Sequence, residues 1–173
     1  MIDGAKAAAL VFVAAILEVS VFSDVKILGG VPDLLLVTVV AVALLRGAVT
    51  GACAGFFAGL VVDTATLETL GLSSLLLTLI GYWVGRYGET TGRDRTHAPF
   101  VSVAAVTFLF ALGGLALRFV LGEPAPARVV LLDSLFQGIA LNLLLTVPVY
   151  AAVRRLLPPR LRVTRGEGAP ALG

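Results

Sequence analysis

The chain has 173 residues, 58% of them hydrophobic and only 14% charged, with a mean hydropathy of +1.01 and a formal net charge of +2. That balance excludes an ordinary soluble domain and describes a membrane protein, because apolar runs approaching the roughly 20 residues that cross a bilayer follow one another with little soluble sequence between them. A single histidine and a single cysteine exclude an internal disulfide and leave too few ligands or nucleophiles for a metal centre or a Cys/His pair.

Taken in chain order, the first apolar run covers residues 5–22. Glu18 lies inside it and no small-x-small cleavage site follows, so it reads as a retained helix and not as a signal peptide. The second, residues 32–45, opens with Pro32 at a helix-compatible first position and Asp33 in the favoured first turn; it is short for a span. The third covers residues 48–62 and the fourth residues 70–87. After the polar loop "GETTGRDRTHAP" a fifth covers residues 100–121, and "GEPAPAR" separates it from a sixth over residues 129–157. The expected fold is an all-α, six-transmembrane helix bundle formed by residues 1–157, followed by a disordered tail over residues 158–173 that is rich in proline and glycine.

Six spans place both termini on one side. Lys6, Arg46, Arg86, Arg93, Arg95, Arg154, Arg155, Arg160, Arg162 and Arg165 fall on that side, leaving only Lys26, Arg118 and Arg128 opposite. The positive-inside rule therefore makes both termini cytoplasmic, and Tyr82, Trp83 and Tyr87 then lie at the cytoplasmic interface, where amphipathic rings settle. Basic residues arranged in this way report topology, and nucleic acid is not expected as a partner.

The third span, "GAVTGACAGFFAGLVVD", places Gly47, Gly51, Gly55 and Gly59 four residues apart. In water each interior glycine would cost a helix about 1 kcal/mol relative to alanine. In lipid, small residues at this spacing let two backbones approach, and close packing is what drives helix association there. Ser74, Thr78, Gly81 and Gly85 in the fourth span offer a matching stripe for an antiparallel hairpin. The stripe is open to two readings, internal packing or a docking face for another membrane protein.

Polar residues inside the spans form a second group. Asp33, Asp63 and Glu68 are expected near the outer boundary, as interfacial residues or helix caps. Glu18, Arg118, Asp133, Gln137 and Asn142 are candidates for an intramembrane polar network, with Arg118 available to Asp133 or Glu18. Cys53 reads as a small packing residue, and Pro148 as a kink in the last span. No GxSxG elbow, HExxH motif or phosphate loop occurs. "GLVVD" carries one fragment of the CDP-alcohol phosphotransferase signature, but Leu67 stands where its downstream carboxylate would be. No catalytic residue, cofactor or metal is assigned.

"VPDLLLVTVVAVALLRG", "GFFAGLVVD" and "LGLSSLLLTLIGYWVGR", in this order, resemble the MreD family of rod shape-determining membrane proteins. The family pattern falls on Pro32, Asp33, Arg46, Gly47, Gly55, Gly59, Asp63, Gly71, Gly81, Tyr82 and Gly85, which the resemblance assigns to fold and partner contact. It implies a non-enzymatic subunit of the bacterial elongation machinery in the inner membrane. Family members associate with MreC, and through it with MreB, RodA and the elongation-specific penicillin-binding transpeptidase. The family is similar in fold to the substrate-binding subunits of energy-coupling-factor vitamin transporters, which supplies the alternative function. Ala5, Ala9 and Ala14 permit a weak version of those subunits' coupling face. The outer segments "SDVKILGGVPD", "DTATLETLG" and "GEPAPAR" lack the aromatic and polar groups that a ligand mouth gathers.

Overall fold

The computed structural model describes residues 2–22, 32–66, 70–91, 97–122 and 128–157. Among the described residues the chain is entirely helical: α1 (Ile2–Leu17), continued by a π-helical turn (Glu18–Phe22), α2 (Leu34–Arg46), α3 (Ala48–Thr66), α4 (Leu72–Thr91), α5 (Ala98–Val120) and α6 (Arg128–Leu156). The tail over residues 158–173, together with Lys26, Glu68, Arg93 and Arg95, lies outside them.

α2 is the axis of the bundle. Its sequence, "LLLVTVVAVALLR", is apolar on every face, which is how a helix reads when it is buried all round. Every residue from Leu35 to Leu45 is buried, and α1, α3, α4, α5 and α6 all pack against it. One side of α2 meets Ala7, Val11, Ala14 and Ala15 of α1 together with Val153 and Leu157. The other meets Ile80 and Val84 of α4 and Val103 and Val106 of α5. The first turns of α1 and the end of α6 therefore lie at the same end of the bundle.

The outer surface is the inverse of a soluble protein's. Phe12, Phe57, Leu109, Phe119, Phe136 and Leu144 are all exposed, as expected for a surface that faces lipid. Three stretches are long and apolar enough to cross a membrane: Ala48–Thr66, Ala98–Val120 and Leu135–Leu156. α2, with 13 residues, extends only about 20 Å and is shorter than a hydrocarbon core.

The helix starts differ from the sequence expectation at α2. Pro32 lies before the helix, and Asp33 is its N-cap, not part of its first turn, with Oδ1 accepting the Leu36 N–H at 2.7 Å. A capping aspartate must sit just outside the first helical turn to reach that amide, which moves the start to Leu34.

Candidate functional site: the glycine seam and the buried polar cluster

The glycines of α3 face α4 across an antiparallel seam. A Cβ added at Gly51 would run into the Gly81 carbonyl, one at Gly55 would lie 2.5 Å from the Leu77 carbonyl carbon, and one at Gly59 would lie 2.7 Å from the Ser73 carbonyl carbon. From the α4 side, Cβ atoms at Gly81 and Gly85 would meet the Gly51 backbone and the Ala48 amide, each at 2.5 Å. Such approaches leave no room for any side chain, so the period of four belongs to helix–helix contact within this chain. The reading of this face as a partner surface has no exposed backbone left to act through at Gly51, Gly55 or Gly59, which are all buried.

Gly47 has a second role beside its place in the stripe. It lies between α2 and α3 with φ +95, in the left-handed region that suits glycine, and its N–H closes the end of α2 on the Ala43 carbonyl at 2.8 Å. The chain turns there, so Gly47 makes a corner while its backbone still meets α4, a Cβ at Gly85 falling 2.5 Å from the Gly47 carbonyl carbon. Glu89 of α4 covers this corner: Oε1 accepts the Ala48 N–H at 2.9 Å, and Oε2 lies 3.5 Å from Arg86. The sequence reading missed Glu89. The available signal was an acidic residue on the helix that runs antiparallel to α3, close to the positive start of α3.

Asp63 holds the opposite end of the same hairpin. It is 1% exposed, and its carboxylate accepts the N–H groups of Gly71, Ser73 and Ser74 at 2.8, 3.2 and 3.3 Å. These are orphan amides at the start of α4, and a carboxylate also complements the partial positive charge there. Gly71, φ +94, makes the turn that brings those amides round to Asp63. Ser74 adds a bond from Oγ to the Phe56 carbonyl at 3.1 Å, and Thr78 bonds back to the Ser74 carbonyl.

The start of α2 is the second polar centre. Glu18 Oε2 accepts the N–H of Leu34 at 2.7 Å and that of Leu35 at 3.3 Å. Asn142 Oδ1 accepts the Asp33 N–H at 2.8 Å, and Asn142 Nδ2 donates to Thr107 Oγ1 at 3.1 Å. Thr38 bonds to the Leu34 carbonyl and Thr146 to the Asn142 carbonyl. Three helices thus converge on the first turn of α2. Asn142 lies about 21 Å from either end of α6. Asp33, expected near the outer boundary, is therefore level with the middle of α6.

Of the five residues proposed as one network, the structure joins Glu18 and Asn142 through the backbone at the start of α2. Gln137 is half-buried on α6 and lies on a different side of that helix from Asn142. Arg118 is in the last turn of α5, and the Asp133 side chain is outside the described residues. Thr107 and Thr38 were not anticipated, since a hydroxyl in an apolar helix usually bonds its own backbone and gives no sign of a distant partner.

Cys53, expected to be a packing residue, is exposed. It lines an apolar groove of about 820 Å³ between α1 and α3, with Gly4, Ala8 and Ala15 on one wall and Val49, Phe57 and Val61 on the other. Ala14 is buried in the core and Ala9 exposed, so the alanines of α1 do not form one face. Tyr82 and Trp83 are exposed and pack edge to face with centroids 5.9 Å apart.

No curated protein and no solved structure shows significant similarity to the chain. The family of the rod shape-determining protein MreD matches residues 6–157, most of the chain. With an apolar, all-helical bundle whose Pro32–Asp33 cap, Gly51–Gly59 seam and Asp63 clamp fall within that match, the chain belongs to the MreD family of rod shape-determining membrane proteins.

Proposed function

We propose that this chain is a non-catalytic scaffold subunit of the machinery that elongates rod-shaped bacteria, lodged in the inner membrane with six spans and both termini in the cytoplasm. In this role it binds MreC directly and is held through it in a complex with RodA, the elongation-specific penicillin-binding transpeptidase and MreB. Lateral peptidoglycan synthesis is the process it supports. The observation that carries this reading is the family match over residues 6–157. The chemistry of the polar centres supports it: Glu18, Asp33, Asn142 and Asp63 direct their bonds to backbone amides and fix helix ends, which gives shape to a bundle.

The test is mild-detergent purification of the tagged protein from its native membrane, with co-purifying proteins and small molecules identified by mass spectrometry. Recovery of MreC or RodA with no bound metabolite is the expected result. Recovery of paired ATPases with a tightly held vitamin would replace the scaffold with a substrate-binding subunit of an energy-coupling-factor transporter.

A further inference from the structure

The end of the bundle where α1 begins and α6 finishes carries most of its described cationic side chains: Lys6, Arg46, Arg86, Arg154 and Arg155. Glu89 of α4, at that end, is engaged by Arg86 and by the Ala48 amide, and Asp3 stands three residues before Lys6 in the first turn of α1. Lys6, Arg154 and Arg155 are exposed, and among the described residues no acidic side chain meets them. Leu157, fully buried, and Val153 sit in the same apolar cluster as Ala7 and Val11, so the last turn of α6 and the first turns of α1 pack on the same side of α2 at one end of the bundle.

What lies deeper on these two helices fits the charges above it. Side chains three, four or seven positions apart share a helix face. One turn below Lys6 is Ala9 and two turns below is Val13, both exposed; one turn below Arg155 are Ala151 and Ala152, also exposed. Each basic side chain therefore stands above a small, apolar, outward-facing strip. Cationic heads over shallow apolar strips match a molecule with an anionic head and hydrocarbon tails.

We propose that Lys6, Arg154 and Arg155 form, at the end of the bundle where α1 begins and α6 finishes, a docking surface for the headgroups of anionic phospholipids, whose acyl chains lie along the alanine-lined strips beneath. The proposal rests on this end of the bundle lying at a membrane surface and is independent of which proteins the chain binds. A basic residue held near an anionic membrane surface strengthens attachment about fivefold, and salt screens the effect.

The test uses the full chain purified in detergent, where no membrane sidedness constrains it, titrated with phosphatidylglycerol or phosphatidylcholine and read by native mass spectrometry. The expected result is preferential retention of phosphatidylglycerol that weakens about fivefold for each of K6Q, R154Q and R155Q and persists in K6R and R154K. R118Q, which removes one positive charge from the last turn of α5 at the far end, leaves retention unchanged. Equal retention of the two lipids by the unmodified chain would overturn the proposal, as would a triple glutamine variant that binds phosphatidylglycerol normally. So would a loss in R118Q as large as in K6Q, since net charge alone would then explain the binding. Thermal unfolding of each variant in lipid-free detergent separates lost lipid from lost fold, and the single variants are expected to unfold as the unmodified chain does.

Discussion

Gly55→Ala tests the seam between α3 and α4 most directly. In an isolated helix the change would be favourable by up to about 1 kcal/mol, because alanine is the better helix former. Here the new methyl would lie 2.5 Å from the Leu77 carbonyl carbon and 3.0 Å from the Thr78 nitrogen. Carbon atoms rest about 3.5–4.0 Å apart, so α4 must withdraw by roughly 1 Å along that stretch, and a gap of that size removes a quarter to a half of each neighbouring contact's attraction. Overpacking of this kind costs about 1–3 kcal/mol, which outweighs the gain in propensity, and a net loss of about 1–2 kcal/mol is expected. Gly114→Ala is the internal control, because a Cβ there meets nothing within 4 Å. The assay is reversible unfolding in mixed micelles, with tryptophan fluorescence from Trp83 on α4 as the probe. Gly51 and Gly81 face each other, so Gly51→Ala and Gly81→Ala should cost less together than the sum of their separate effects. If Gly55→Ala proved as stable as Gly114→Ala, the seam would not be the close backbone contact described here.

Three further outcomes are expected. Asp63→Ala leaves the amides of Gly71, Ser73 and Ser74 without their acceptor and should destabilise the chain by about 1–3 kcal/mol, with amide exchange accelerated at Ser73 and Ser74 before the rest of α4; uniform exchange would contradict the capping role. Asn142→Leu removes both the acceptor for the Asp33 N–H and the donor to Thr107, so its loss, about 1–3 kcal/mol in the same unfolding assay, should exceed that of Thr107→Val, which removes only the second bond; the reverse order would refute the central position given to Asn142. Cysteine introduced at Thr90, in a Cys53→Ala background, should react with a membrane-impermeant thiol reagent only after the cells are opened. Labelling of intact cells would invert the proposed topology.

Much of this protein could be read from one sequence because lipid imposes strict conditions on it. A chain that must satisfy its backbone within each segment writes its helices as apolar runs, and the six helices of the bundle start and stop within a few residues of those runs. The four-residue glycine period carried its meaning as well, since only close backbone contact rewards the loss of so many side chains, and Ser74, Gly81 and Gly85 supplied a matching register. The ordered motifs from Pro32 to Gly88 carried the family. What the sequence could not supply was depth and partnership. Asp33 resembles a boundary residue because it precedes an apolar run, but Asn142, far along the chain, brings it level with the middle of α6. Gly47 has the spacing of the seam and also the conformation of a corner, and only the turn of the chain reveals the second. Glu18 is a lone acid in an apolar helix until the unpaired amides of Leu34 and Leu35 are placed against it. Composition and period act along one helix and are local, whereas hydrogen-bond acceptance by a buried carboxylate or amide depends on which other helix ends are folded within 3 Å of it, and that was decided by the tertiary structure alone.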